Sequence, residues 1–266
     1  MTVPSTTSTL TVNESVFALS DSWTMLWRNL THISRSPDTM LTALALPIML
    51  MVMFVYVFGG AIDTGGAYID YVVPGIILLC AAFGASTTAV SVSSDMTDGI
   101  IDRFRTLPIA RSAVLNGHVL ASVVRNMITT AIVVAFALLI GFRPTADPVR
   151  WLGAIGIIAL FVFALSYLST ALGLLAKNPE AASGFTFVIL FLPYVSSAFV
   201  PAATMPSWLQ WFAANQPVTP VIETVRGLLM GTPIGDSAVL AVLWCAAVTV
   251  VGFVGATVLY RRRTTR

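Results

Sequence analysis

A short stretch that mixes acidic and basic residues is the part of this sequence whose residue types and spacing could do chemistry. It reads Asp-Met-Thr-Asp-Gly-Ile-Ile-Asp-Arg-Phe-Arg-Thr-Leu-Pro over residues 95–108. Its charged members recur at three- and four-residue steps: Asp95, Asp98, Asp102 and Arg105. This spacing predicts a short helix with one charged face, ended by Pro108. Such a helix suits contact with a partner protein or an ordinary solvated loop, and the residue types alone leave both open.

Catalytic motifs are absent from the rest of the chain. There is no G-x-x-x-x-G-K-[ST] sequence for binding nucleotide phosphates, and the only lysine is Lys177. H-E-x-x-H and G-x-S-x-G are also missing, and the two histidines, His32 and His118, are far apart. The sequence therefore predicts a chain that is not an enzyme and binds neither a metal ion nor a cofactor of its own.

The composition is that of a membrane protein. Of the 266 residues 57% are hydrophobic and 10% are charged, whereas charged residues make up about 25% of soluble domains. The cations lie at the ends of apolar runs and form no stripe that would bind nucleic acid. We therefore predict an all-α membrane protein. Its transmembrane domain covers 37–262, with six spans at about 39–60, 71–93, 114–142, 151–176, 181–200 and 237–260.

The count of six depends on the uncharged stretch 181–222, which is long enough for two crossings. Its second half contains several prolines and amides, which would leave polar groups unpaired in lipid. Trp208 and Trp211 favour the membrane boundary. We therefore predict an external segment of short helices, re-entrant or interfacial, before the last span. With six spans, ten lysines and arginines lie on the cytoplasmic side and three outside, so the N- and C-termini are predicted to be cytoplasmic.

The residues before the first span are of a different kind. Residues 1–11 are rich in Ser and Thr, which predicts a disordered tail. Residues 263–266 are predicted to form a short cytoplasmic tail. Residues 12–36 place apolar side chains at three- and four-residue steps, which predicts an amphipathic helix that includes Trp23, Trp27 and Arg28. This helix would lie on the cytoplasmic membrane surface or pack against the protein's own loops.

Arg125 is the one charged residue inside a predicted span. It could bind an anionic group of a substrate or hold a gate. The alternative is that it snorkels to the cytoplasmic face or pairs with backbone carbonyls.

Two segments resemble a known family. The sequence D-G-I-I-D-R-F-R-T-L-P-I-A-R at 98–111 resembles the first cytoplasmic loop of ABC-2 type exporter permeases, in particular the daunorubicin-resistance-type drug-efflux subunits. The segment F-V-P-A-A-T-M-P-S-W-L-Q-W-F-A-A-N-Q-P-V-T-P at 199–220, with E-T-V-R-G-L-L-M-G at 223–231, is similar to the external segment of the same family. The resemblance covers roughly residues 12–262.

The resemblance implies a subunit that exports hydrophobic or amphipathic compounds such as drugs, antibiotics or lipids. It implies two copies of a separate ATPase subunit that binds ATP and Mg, and a second copy or a paralogue of this chain, in a bacterial inner membrane. The loop after span two would dock into the ATPase through Asp95, Asp98, Gly99, Asp102, Arg103, Phe104, Arg105 and Thr106. The N-terminal helix, with Trp23, Trp27 and Arg28, would brace this junction, and the turn at 177–180 would lie nearby.

In this family spans two and five line the transport route. Their candidate pathway residues here are Phe83, Thr87, Phe187, Tyr194, Ser197 and Phe199. A permease for lipid-linked polysaccharide is an alternative within the same superfamily. An ATP-independent secondary carrier is a further alternative, although the intramembrane acids and inverted repeats expected of one are missing. A membrane enzyme is the weakest alternative.

Overall fold

A computed structural model describes residues 37–62, 64–97 and 111–264 of the chain. The described residues form eight α-helices and contain no strand. Their bounds are α1 Pro37–Val52, α2 Tyr68–Thr97, α3 Arg111–Leu139, α4 Pro148–Leu175, α5 Pro179–Phe191, α6 Ser207–Asn215, α7 Val218–Met230 and α8 Ser237–Thr264. A π-helical segment, Met53–Phe58, extends α1, and a 3-10 turn, Leu192–Val195, extends α5. This confirms the predicted all-helical membrane fold.

Four of the described helices are long and apolar enough to cross a membrane: α2, α3, α4 and α8. The predicted first and fifth spans correspond to two shorter apolar helical segments, Leu44–Phe58 and Pro179–Val195. Six crossings therefore remain a prediction that includes these two shorter segments. The predicted N-terminal helix lies outside the described residues.

Helix α2 forms the centre of the bundle. It packs against α1, α3, α4, α5 and α7. Of its most apolar 18-residue stretch 72% is buried, compared with 17% of the corresponding stretch of α8. Every residue of α2 from Val72 to Ala82 is buried, as expected of a helix surrounded by other helices. Movement of α2 would therefore disturb most of the bundle.

The helix ends follow ordinary capping rules. Asp147 caps α4 by accepting from the Arg150 backbone N–H at 2.8 Å, and Pro148 is the first helical residue. Asn178 caps α5 in the same way through the Ala181 N–H at 2.8 Å, again followed by proline. The predicted turn at 177–180 is thus the beginning of α5.

Helix α5 ends earlier than its predicted span. The α-helix stops at Phe191, and Pro193 lies in the 3-10 turn that follows, because proline has no N–H for a further α-helical bond. The chain then forms turns through Ser196–Phe199 before α6 and α7. These two short helices occupy the segment predicted to be external, and α7 is largely buried against α2, α4 and α8.

The bundle has two ends, the Asp95 end and the Arg226 end. The Asp95 end contains the end of α2 and the starts of α3 and α5. The Arg226 end contains α7, the start of α2 and the end of α5.

Candidate functional site

An open cleft of about 640 Å³ lies between α2 and α5. The α2 side contributes Phe83, Ser86, Thr87 and Val90, and the α5 side contributes Ser183, Gly184, Thr186, Phe187 and Leu190. Three of the six predicted pathway residues, Phe83, Thr87 and Phe187, therefore line one cavity. Aromatic side chains on both walls give it surfaces that suit a flat or alkyl-bearing molecule.

The hydroxyl groups of the cleft donate to their own helices. Ser86 Oγ donates to Phe83 O at 2.7 Å, and Thr87 Oγ1 donates to Gly84 O at 2.8 Å. On α5, Ser183 and Thr186 do the same with Glu180 O and Ser183 O. Since each hydroxyl proton is already used, these oxygens can offer only lone pairs to another molecule.

Arg125 of α3 reaches the α2 wall of this cleft. Its Nη2 donates to Thr87 Oγ1 at 2.7 Å and to Gly84 O at 3.1 Å. Of the alternatives raised by the sequence, the structure shows pairing of Arg125 with a backbone carbonyl. It lies midway along α3, so a positive charge is held in the middle of the bundle beside the cleft.

A polar seam, defined by Thr88, Ser122, Asn126 and Ser166, runs beside Arg125 through the buried core. Thr88 Oγ1 and Ser166 Oγ both donate to Ser122 Oγ at 2.8 Å, which joins α2, α3 and α4. Asn126 Nδ2 donates to Ser122 O at 2.9 Å. Gly84 permits this packing, because a Cβ at that position would overlap Asn126 Oδ1. Interhelical hydrogen bonds and small residues are the ordinary means of packing helices in membranes.

The other three predicted pathway residues lie elsewhere. Phe199 stacks on Phe54 at 4.3 Å and on Tyr194 at 5.5 Å between ring centroids, and Ser197 is buried. Tyr194, Ser197 and Phe199 pack together with their neighbours at the Arg226 end, where the chain turns after α5. The described structure thus divides the six candidates into a cleft set and an end set.

Arg226 is a buried residue that the sequence reasoning missed, since it was counted as an external cation. It is 6% exposed. Its Nη1 pairs with Glu223 Oε1 at 2.7 Å, its Nη2 donates to Ser197 O at 2.8 Å, and its Nε donates to Tyr71 O at 3.2 Å. Tyr71 Oη also donates to Ser197 O at 3.0 Å. The Glu-x-x-Arg spacing was the only local signal for this cluster, which joins α7, α2 and the turn after α5.

At the Asp95 end, the predicted coupling residue Asp95 lies in the last turn of α2 and pairs with His118 of α3. Asp95 Oδ2 lies 3.2 Å from His118 Nε2, and the two side chains are 16% and 8% exposed. The other predicted coupling residues, Asp98, Gly99, Asp102, Arg103, Phe104, Arg105 and Thr106, lie outside the described residues, as do Trp23, Trp27 and Arg28 of the predicted interfacial helix.

The geometry defines a polytopic helical membrane protein with a cleft, a buried polar seam and a cation in its membrane-crossing region. Residues 21–230 match the family model described as ABC-2 type transporter. The chain belongs to this family.

Individual relatives agree with that assignment. The chain is 33% identical over 217 residues to the daunorubicin resistance ABC transporter permease protein DrrB1 of Streptomyces coeruleorubidus, covering 81% of this chain and 77% of the relative. It is 28% identical over 240 residues to the probable doxorubicin resistance ABC transporter permease protein DrrC of Mycobacterium tuberculosis, covering 90% and 87%. A putative transport permease of Cyanophora paradoxa is 24% identical, with 80% and 76% covered. This chain is therefore an ABC-2 permease, and its family implies an ABC ATPase partner.

Proposed function

We propose that this permease exports hydrophobic or amphipathic compounds, such as drugs, antibiotics or lipids, with energy from ATP and Mg bound by two copies of a separate ATPase subunit. The observation that carries the proposal is the cleft between α2 and α5, which has an aromatic side chain on each wall, Phe83 and Phe187. The cleft lies in a chain of the ABC-2 transporter family. Relatives named for daunorubicin and doxorubicin resistance support cargo of this class.

Helix α2 supplies the mechanical link in this proposal. Thr87 on the cleft wall and Asp95 at the helix end are about two turns apart, or ~12 Å along one continuous helix. A rigid-body shift applied at Asp95 would therefore reach the cleft without a hinge between them. Because α2 packs against five other helices, the same shift would change the separation of α2 and α5.

The force would enter through the stretch from Asp95 to Thr106, where Arg103, Phe104 and Arg105 are the proposed contacts with the ATPase. The interfacial helix with Trp23, Trp27 and Arg28 would brace this junction against the membrane surface. The pair Asp95–His118 holds the end of α2 to α3, so a force on either side of the loop would move both helices together.

The proposed assembly contains a second copy or a paralogue of this chain in a bacterial inner membrane, with both termini in the cytoplasm. Aromatic and aliphatic side chains on α5 support a protein or lipid contact there, since Phe187, Val188 and Phe191 are 66%, 67% and 56% exposed. The excess of cations in the predicted cytoplasmic segments supports the orientation.

The test compares ATP turnover by the purified chain, the purified ATPase and the two combined in lipid vesicles, with and without an amphipathic drug. We expect drug-stimulated turnover only from the combination, and loss of most of that stimulation in Asp102→Ala, Arg103→Ala and Arg105→Ala. Asp236→Ala, an exposed acidic residue at the Arg226 end, is the matched control and should leave turnover unchanged. Drug movement by the chain alone, driven by a proton gradient, would contradict the proposal and favour a secondary carrier. Stimulation by a lipid-linked polysaccharide and by no drug would favour the other permease class.

A further inference from the structure

We propose that the cleft selects amphiphiles that bear an anionic group, with Arg125 as the residue that binds that group. The inference deepens the proposed export function and rests on it. The ligand is defined by its chemistry: one phosphate or carboxylate group attached to an alkyl or aromatic body.

The first argument is the unused hydrogen-bonding capacity of Arg125. A guanidinium carries five N–H donors in a planar fork. Only Nη2 has partners among the described residues, Thr87 Oγ1 and Gly84 O, both of them uncharged. Nε and Nη1 are left without a partner there, although paired nitrogens of this fork match the two oxygens of a phosphate or carboxylate.

The second argument is the missing counter-charge. No described carboxylate pairs with Arg125; the ion pairs found for Asp95 and Glu223 lie at the two ends of the bundle. Charged residues in the membrane interior pair with one another or with backbone carbonyls and often line a functional path; Arg125 has the carbonyl of Gly84 but no acid. The neutral partners of Arg125 leave its full positive charge available to an anion.

The third argument is position. Thr87 both lines the cleft and accepts from Arg125 at 2.7 Å, so the guanidinium lies one hydrogen bond behind the cleft wall. Phe83 and Phe187 supply apolar contact in the same cavity. A ligand with an anionic head and an apolar body could therefore satisfy both features at once.

The experiment measures equilibrium binding of radiolabelled dodecyl phosphate and dodecyl glucoside to the permease–ATPase complex in phosphatidylcholine nanodiscs. We expect the phosphate amphiphile to bind about tenfold more tightly than the glucoside, as one charge-assisted contact would give. Arg125→Gln should abolish this preference, while Arg125→Lys, which keeps the charge, should retain most of it.

Thr87→Val separates ligand binding from a purely structural role. Since the variant removes one protein acceptor of Arg125, dodecyl phosphate should bind up to about threefold more tightly, while dodecyl glucoside should bind as before. A purely structural link between α3 and α2 predicts no change in preference for any of the three variants. If Arg125→Gln fails to fold, Arg125→Met, which also removes the charge, should abolish the preference and carries the same test.

Two competitors identify the source of the anion. Displacement by phosphatidylglycerol added to the nanodisc would support a membrane lipid, and binding of dodecyl phosphate undiminished by that lipid would support a soluble amphiphile. Displacement by inorganic phosphate at the same concentration, or equal preference in the wild type and Arg125→Gln, would overturn the inference. ATP turnover in the same samples tests the export function separately. The requirement for both permease and ATPase in drug-stimulated turnover does not depend on which head group the cleft prefers.

Discussion

The guanidinium of Arg226 lies 3.8 Å from the centroid of the Tyr71 ring, across a separation of 155 residues in the chain. Tyr71 belongs to the first turn of α2, and Arg226 to α7. Both also bind the carbonyl of Ser197 in the turn after α5. The start of α2, the turn after α5 and helix α7 are thereby held at one point.

Arg226→Lys should destabilise the protein. A lysine keeps the charge but cannot reach Tyr71 O, Ser197 O and Glu223 together, since it lacks the planar fork. Loss of buried charge-assisted hydrogen bonds costs about 1.5–3 kcal/mol, which thermal unfolding in detergent would detect as a lower midpoint. The matched control is Arg143→Lys at the same end, an exposed arginine, which should unfold like the wild type. Equal midpoints for both variants would show that the Arg226 cluster contributes no stability.

Gly84→Ala should disrupt the polar seam. The new methyl group would overlap Asn126 Oδ1, and overpacking of this kind costs about 1–3 kcal/mol. Gly156→Ala is the control, because no atom lies within 4 Å of a Cβ there; it should be neutral or slightly stabilising, since alanine favours helix. The measurement is the unfolding midpoint of each variant together with the yield of monodisperse protein.

Asn126→Ala combined with Gly84→Ala offers an internal check on that explanation. The double variant removes the overlapping amide, so its midpoint should lie above the value obtained by adding the two single losses. Strict additivity would mean that contact between residues 84 and 126 is not the cause of the Gly84→Ala defect.

The Asp95–His118 pair should couple energetically. A double-mutant cycle with Asp95→Ala and His118→Ala is expected to give an interaction free energy above about 0.5 kcal/mol, the range found for residues in contact. Asp95→Ala with Asp236→Ala, which changes an exposed residue at the opposite end of the bundle, supplies the non-interacting cycle and should be additive. Additive losses in both cycles would exclude a stabilising contact between the ends of α2 and α3.

Much of the fold could be predicted from the sequence because the bilayer restricts the choices. Apolar runs of about 20 residues indicate helices in lipid, so α2, α3, α4 and α8 follow from hydropathy alone. The end of α5 did not follow, because the uncharged stretch 181–222 has no charge to mark a boundary. The predicted span 181–200 ran through Pro193, but Pro193 lies in the 3-10 turn that follows the end of the α-helix.

The site was only partly predictable, for a different reason. Side chains far apart in sequence become neighbours through helix packing, which hydropathy does not specify. Phe83 and Thr87 share a helix face four residues apart, but nothing in the sequence places Phe187 opposite them. The same limit explains Arg226, whose partners Tyr71 and Ser197 are remote in the chain. Arg226 was counted as an external cation, although its side chain is buried.

Cross-linking gives the most direct test of the claim that force enters this permease through the stretch below α2. The only two cysteines, Cys80 and Cys245, are buried and can be replaced by alanine to provide a background without thiols. Arg103→Cys in that background should cross-link to the ATPase subunit through a short thiol–amine reagent, with a yield that changes when ATP is added. Asp236→Cys at the opposite end should give no such product. Cross-linking from residue 236 and none from residue 103 would contradict the account.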